Sequence, residues 1–481
     1  MSERSDDGSG PTRRDRYLKR RRFLRAAGAV GGASLLAGCP QGGTGTPTTG
    51  TEPTDMPADT ETETETETET ETETTEEPEE SLQERYPGLR ILSPEPENAE
   101  AAERDTYTTL ITPLEEFYIR NHYPTPDIQE SEWTVSLTGL ADQDVEISME
   151  ELKRGFPTET VFHVMQCSGN GRSYFEPQVG GNQWTFGAVG NAEWTGTPIS
   201  AILERYGADT SDGMWLSVMG GEAPEGEDIF TRSIPMQKIM DDCILAYEMN
   251  GQPLAPDHGF PVRFVAPGWY GNNNVKWVDR MHVMDMMVFG DEWESQDQRT
   301  YTHWQQYSYR IIPQQDEEAQ QYQSIDTFDT YEQMQNPDQI RNAYIYDQLV
   351  KSIIGFPGED STVSRRADGS VEVVGVAWAG VNEVETVEVS ADGGETWNEA
   401  EFFRPDLGPF SWRLFRYDWS PEPGEYTLVS RATDSLDRTQ PATISDPSAQ
   451  LRGIQDDQFP WNQDGYINNA YVPHGVDVTV E

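Results

Sequence analysis

Hydrophobic and polar positions change rhythm three times along the chain. Residues 26–37 form a short apolar run of mostly small side chains, followed by a polar stretch that lasts to about residue 84. From 85 to 313, period-two alternation at 133–140 predicts a strand, while the spacing at 149–154 and 198–206 predicts helices. Gly180-Gly181-Asn182 and Pro267-Gly268 mark turns between such elements. No βαβ period and no glycine-rich phosphate loop appear, so this part reads as an irregular α+β unit. A Gln- and Asp-rich stretch at 314–339 is expected to cross the surface. After residue 353 the pattern is all β: 371–379 and 384–390 alternate, Ala391-Asp392-Gly393-Gly394 supplies a hairpin turn before Thr396-Trp397, and 426–432 is another strand. Regular strands with turn signals predict an immunoglobulin-like sandwich, here without the usual cysteine pair. The organisation expected is an address at 1–39, a tether at 40–84, an α+β unit at 85–345 and a β unit at 346–481.

The address is read from Arg20-Arg21-Arg22-Phe23-Leu24-Arg25 and the apolar run behind it. This resembles a twin-arginine export signal, and the run is too short to cross the ~30 Å hydrocarbon core as a helix. Leu36-Ala37-Gly38-Cys39 resembles a lipobox, which implies cleavage before Cys39 and a lipid on its thiol. The Thr-Glu alternation at 60–74 mimics a strand but has no apolar face to bury. Its like charges repel, so a solvated tether reaching roughly 40 Å is expected. The body would then sit outside the cytoplasm, held at the membrane only through the N-terminal lipid.

Composition sharpens this picture. The 481 residues include 85 Asp and Glu against 34 Lys and Arg, a formal net charge of −51. A phosphate backbone would be repelled, which excludes nucleic-acid binding by counterion release. Docking on an anionic membrane through a basic patch is disfavoured for the same reason. An acidic, lysine-poor surface is the pattern of a protein hydrated against high salt, a halophile's pattern. Aromatic residues at 10%, with 13 Trp, are enough to fill a core, so disorder throughout the chain is not expected. Of the three cysteines, Cys39 belongs to the address, and Cys167 and Cys243 remain. In an exported protein those two could pair as a disulfide. Cys243 reads as the start of a buried strand. The six histidines show no metal-ligand spacing, and no C-x-x-C-H haem site is present.

Four blocks are polar, loop-like and rich in donors: Tyr118-Ile119-Arg120-Asn121-His122; Gln166-Cys167-Ser168-Gly169-Asn170-Gly171-Arg172; Tyr247 to Gly251 with Pro256 to Arg263; and Gly271-Asn272-Asn273-Asn274-Val275-Lys276-Trp277. A thiol, arginines, a lysine, histidines and amides on irregular backbone suit a phosphorylated, heterocyclic, anionic ligand. In this order and spacing the blocks resemble the sulfite oxidase family of molybdenum enzymes, over about 85–473. Trp378 and the 390–397 segment match the pattern of that family's dimerisation unit. The resemblance implies a molybdenum–molybdopterin cofactor with Cys167 as the thiolate on the metal. It assigns cofactor contacts to Tyr118, Ile119, Arg120, Asn121, His122, His258, Arg263, Asn274, Val275 and Lys276. For a small oxyanion substrate it implies Arg172 and Arg120 as cationic contacts, with Trp184 and Tyr309 as pocket aromatics.

The activity implied is oxidation of sulfite to sulfate by oxygen-atom transfer. With no haem motif in the chain, electrons would leave to a separate one-electron carrier such as a cytochrome or blue-copper protein, and a homodimer is implied as well. Two departures bear on the substrate. Ala379-Gly380-Val381-Asn382-Glu383 lacks the arginine usual in the family, placing Glu383 near the expected pocket mouth unless Arg232 or Arg365 compensates. Gly171 also replaces a frequent arginine. Another sulfur compound or oxyanion handled by the same fold is therefore the alternative substrate, and a cofactor-free surface-binding lipoprotein is the alternative of another class.

Overall fold

The computed structural model describes residues 80–285, 305, 309–311, 343–449, 454 and 457–481. The export signal, the lipobox and most of the tether lie outside these residues, as do His303, Trp304 and the 314–339 stretch. Folded chain begins slightly earlier than the 40–84 tether allows. Ser81 caps the helix Leu82–Arg85 through a reciprocal capping box with Glu84, and Leu82 and Tyr86 join Leu89, Ala99 and Ile119 in a small apolar cluster.

The first unit is built on two five-stranded sheets. One runs Gln252–Pro253, Ile244–Met249, Val189–Pro198, Glu159–Gln166, with Arg263–Val265 also paired to Ile244–Met249. The other runs Val145–Ser148, Thr134–Gly139, Val278–Met284, Trp215–Gly220, Thr231–Pro235. Pairing is antiparallel except between Val278–Met284 and Thr134–Gly139. Short helices cover the sheets. Met149–Arg154 starts where the Ser148 side chain accepts from the Glu151 N–H and buries Met149 and Leu152. Ile199–Arg205 and Met236–Asp242 bury Ile202, Leu203 and Ile239 in the same core. Cys243 follows the last helix, buried directly before its strand, and both it and Cys167 are free thiols, so no disulfide joins them.

The second unit is a sandwich. A sheet ordered Lys351–Phe356, Val371–Trp378, Arg413–Trp419, Glu401–Phe402 faces one ordered Ser361–Val363, Val476–Val480, Gly424–Asp434, Val384–Ser390, Asn398–Glu399. Val373, Ala377 and Phe415 from the first meet Val387, Val389, Leu428 and Val476 from the second. At the predicted hairpin the Asp392 carboxylate accepts from Ser390, Thr396 and backbone N–H groups, and Gly393 and Gly394 take positive φ. The two units share a further core in which Val164, Val189 and Tyr107 pack on Ile353, Trp378 and Trp412. Trp378 Nε1 donates to Gln166 Oε1 at 3.0 Å, so the second unit reaches the residue before Cys167. No helix among the described residues is long and apolar enough to cross a membrane.

Candidate active site

Four loops converge beside the strand Glu159–Gln166. That strand is buried over its last four residues and delivers Cys167 to the sheet edge, where the chain turns. The Cys167 N–H donates to the Ala188 carbonyl, and the Asn170 N–H closes the turn on the Cys167 carbonyl. The result is a cleft with about 720 Å³ of empty space, in part open to solvent. Tyr118, Arg120, Asn121, His122, Cys167, His258, Arg263, Asn274, Lys276 and Tyr309 all line it. Ten of the residues singled out in the sequence therefore share one wall-to-wall site, drawn from segments up to 191 positions apart.

Four others stand elsewhere. The Ile119 side chain packs in the apolar cluster with Leu82 and Ala99, and Val275 is fully buried in the main core. Each follows one cleft-lining residue and precedes another, Tyr118 and Arg120 in the first case and Asn274 and Lys276 in the second. Trp184 is buried behind the cysteine turn, where its ring approaches the position a Cβ on Gly169 would take. Arg172 also lies against Gly169, with Nη2 2.9 Å from that same position. Glu383 is exposed and does not line the cleft; its backbone carbonyl accepts from the Ser435 N–H within the sandwich. Arg365 is exposed on the sandwich too, whereas Arg232 is buried near the site, 4.1 Å over the Phe230 ring and 5.3 Å from that of Tyr309. The glycine at 171 has a structural reason: its φ is +88°, and a Cβ there would sit 3.1 Å from the Asn468 amide and 3.2 Å from His474 Nε2.

The cleft is cationic because its carboxylates are occupied or neutralised. Asp257 is fully buried, bridged by Arg85 and accepting from Tyr86 Oη at 2.9 Å and Thr125 Oγ1 at 2.7 Å. Burial pushes Glu222 up to about 7. Lys276 donates to the Asn121 side chain and to the Asp257 carbonyl at 2.7 Å, while burial and then the Arg263 charge pull it down to about 7. Arg263 donates to the His258 carbonyl at 2.9 Å and lies 4.9 Å over Trp194; burial lowers it to about 10, so it keeps its charge at neutral pH. Burial, then Lys276 and Arg263, bring His258 to about 3, which fixes a neutral imidazole. Burial pushes the Cys167 thiol up, opposed by Arg172, by the Gly169 N–H 3.4 Å from Sγ, and by Arg120. A metal on that sulfur would deprotonate it.

These residues fit a large polar cofactor. His258 Nε2, Arg263 Nε, both polar atoms of the Asn272 amide and Glu222 Oε2 are buried without partners among the described residues, and all belong to residues lining the cleft. Each orphaned group costs about 1–3 kcal/mol unless a ligand satisfies it. They combine donors with acceptors, as a phosphate and an amide-bearing heterocycle together require. Among the described residues no group of three His, Cys, Asp or Glu side chains could hold a metal ion, so a metal here would come within the cofactor, with one protein thiolate.

The comparisons agree with this geometry. Residues 122–290 match the model of the oxidoreductase molybdopterin-binding domain and residues 342–479 that of the Mo-co oxidoreductase dimerisation domain. Sulfite oxidase of Gallus gallus is 32% identical over 389 residues, covering 77% of this chain and 76% of that enzyme. The chain belongs to the sulfite oxidase family. Mitochondrial sulfite oxidase of Rattus norvegicus is also 32% identical, over 385 residues that cover 77% of this chain, which spans 64% of that enzyme's length. The crystal structure of the sulfane dehydrogenase SoxCD from Paracoccus pantotrophus superposes with a TM-score of 0.61 at 25% identity, covering 87% of this chain and 96% of that one. As in the family, the cofactor is molybdenum–molybdopterin.

Sequence reasoning missed several residues of this family site. Asn272 lay inside a recognised block but was not singled out. Glu222 follows an ordinary Gly-Gly turn, and nothing local distinguishes it among so many acidic residues. Phe230 and Met165 look like plain core residues. Tyr466 and Asp464, which touch Arg172, come from the far end of the chain.

Proposed function

We propose that the protein is a molybdenum-dependent oxidoreductase that converts sulfite and water to sulfate, two protons and two electrons. The observation that carries this reading is a cleft in which Cys167 shares the wall with Arg120, Arg263 and Lys276, with the buried guanidinium of Arg172 just behind it against Gly169, the residue whose N–H points at the Cys167 sulfur. Tyr118, Asn121, His122, His258, Arg263, Asn274 and Lys276, with the backbones of Ile119 and Val275, hold the cofactor; Lys276 and Arg263 oppose its phosphate charge. When bound, the cofactor supplies the oxygen-atom transfer and accepts the two electrons. Arg172 and Arg120 hold the oxyanion and offset negative charge that develops on its oxygens. Tyr309 offers a hydroxyl at the cleft wall, and Trp184 backs the cysteine turn.

The catalytic unit is 85–345 and the C-terminal unit 346–481, and the latter's family match supports a homodimer. Electrons pass singly to an external carrier, a cytochrome or a blue-copper protein. The paired arginines and Cys39 support twin-arginine export and a lipid anchor outside the cytoplasm, with the Thr/Glu tether holding the body clear of the membrane. The net charge of −51 supports operation at high salt.

A second reading, oxidation of another sulfur compound, is favoured by the residues at 379–383, which bring no arginine, and by the likeness to a sulfane dehydrogenase. Anaerobic addition of sulfite to molybdenum-loaded protein, followed optically, separates the two. Complete reduction at stoichiometric sulfite supports the first reading. Reduction by thiosulfate or a persulfide but not sulfite supports the second, and reduction by none of them refutes both. Arg172→Gln is expected to raise the KM for sulfite tenfold or more, by about 1.5–3 kcal/mol of lost charge-assisted contact.

A further inference from the structure

Three side chains that can carry positive charge are buried at the seam of the two units, and none of them lines the cleft. Lys351 opens the strand Lys351–Phe356 and is fully buried; Arg104, from the first unit, is 5% exposed and His474, near the end of the chain, 3%. Lys351 Nζ donates to the Asn468 carbonyl at 2.9 Å, and Arg104 Nη1 donates to the Ile354 carbonyl of the same strand at 3.3 Å. The His474 ring meets the Tyr174 ring edge-on at 4.9 Å between centroids. A Cβ on Gly171 would sit 3.2 Å from His474 Nε2 and 3.1 Å from the Asn468 amide nitrogen. Asn468 therefore touches Lys351 with its carbonyl and shares with His474 the space that Gly171 leaves open.

This cluster lacks a counter-charge. None of the three side chains forms an ion pair among the described residues. Glu359, the carboxylate whose field reaches Arg104, is exposed and accepts from the Asp477 N–H at 3.5 Å. Tyr174 and Tyr107 also face Arg104, but burial raises both hydroxyls, so they stay neutral. Burial and then the Arg104 charge bring Lys351 down to about 7. Burial, then Lys351 and Arg104, hold His474 well below the ordinary histidine range. The three groups thus repel one another with nothing to offset them. Arg104 Nε and both ring nitrogens of His474 are buried without a hydrogen-bond partner, which native proteins rarely tolerate unless a small ligand or water completes the set.

We propose that Lys351, Arg104 and His474 bind one halide ion, chloride in ordinary buffers, at the seam of the two units behind the cysteine turn. The ion supplies the missing negative charge and accepts from Lys351 Nζ, Arg104 Nε and a ring N–H of His474. Lys351 keeps two further protons for it after serving the Asn468 carbonyl. All three side chains are more than nine-tenths buried, and a single added carbon at Gly171 already meets two polar atoms, so a one-atom anion suits the space better than a tetrahedral oxyanion. Because Arg104 comes from the first unit and Lys351 and His474 from the second, the ion fastens the two together. The site is separate from the cleft and does not depend on which substrate is oxidised there.

Crystals of the full-length, cofactor-loaded protein equilibrated with bromide below pH 7, where Lys351 carries its charge, test this by anomalous scattering at the bromine edge. The expected result is a peak within hydrogen-bonding distance of Lys351 Nζ and the His474 ring. It should be absent from Lys351→Met, which keeps the length of the side chain without its charge. His474→Gln should lower the occupancy roughly threefold, and it provides the reading if the methionine variant does not fold. In solution, exchanging gluconate for chloride at equal concentration should shift the urea midpoint further towards stability in wild type than in Lys351→Met, since only the wild type binds the ion. A water molecule at this place with no anomalous signal, a bromide in the cleft alone, a peak undiminished in the variants, or an equal shift of midpoint in wild type and Lys351→Met would overturn the proposal.

Discussion

Lys276 shows how one side chain can be tuned for an anionic partner. Its ammonium is buried beside Arg263, which lowers it from 10.5 to about 7, so the free protein carries a neutral amine above that pH. A bound phosphate restores the charge by drawing in a proton. The sign follows: affinity for a phosphate anion falls by up to tenfold per pH unit as the pH rises above about 7. Calorimetry of inorganic phosphate binding to cofactor-free protein above about pH 8, where Lys276 is neutral, in buffers of different ionisation enthalpy should show this slope and the uptake of close to one proton. Lys276→Met should abolish both. His258 behaves in the opposite way: held near 3, it stays neutral through the whole range and contributes no slope.

At the scale of elements, the site depends on backbone segments brought unusually close. Gly271 opens the last of the four cleft loops, and a Cβ there would lie 2.5 Å from Tyr118 Oη and 3.2 Å from the Gln166 carbonyl. Tyr118 cannot swing away, since its ring is buried and stacked on Phe117 at 5.6 Å. Gly271→Ala is therefore expected to destabilise the fold by about 1–3 kcal/mol and to reduce bound molybdopterin, measured by urea unfolding and by fluorescence of the released pterin. The elements themselves were legible to differing degrees. Strands 384–390 and 371–378 showed in the alternation of valines with polar residues, and helix 149–154 showed in its spacing of apolar positions. The strand Trp215–Gly220 is buried along its full length, so it carries no alternation to read. Nor could local pattern reveal that Val278–Met284 runs parallel to Thr134–Gly139, because that pairing is fixed by packing between segments far apart in the chain.

For the whole molecule, the same distinction explains which parts of the site could be foreseen. Cys167, Arg263 and Lys276 sit within dense polar motifs and could be recognised from their neighbours. Tyr466 packs on Arg172 from 294 positions away, and the exposure of Glu383 is decided by the sandwich, so neither shows in local pattern. The two units act together at this point. Trp378 donates to Gln166 Oε1 at 3.0 Å, and both residues are buried at the seam. Trp378→Phe leaves that oxygen unsatisfied and should destabilise the protein by about 1–3 kcal/mol, with both units still unfolding in one transition by circular dichroism and tryptophan fluorescence.

The central claim is that the Cys167 sulfur is bonded to molybdenum within this cleft. X-ray absorption at the molybdenum edge of the loaded protein, wild type against Cys167→Ser, tests it most directly. The account predicts close to one metal per chain and one more sulfur neighbour in the wild type than in the variant. An identical sulfur count in the two proteins, with the metal equally retained, would contradict it.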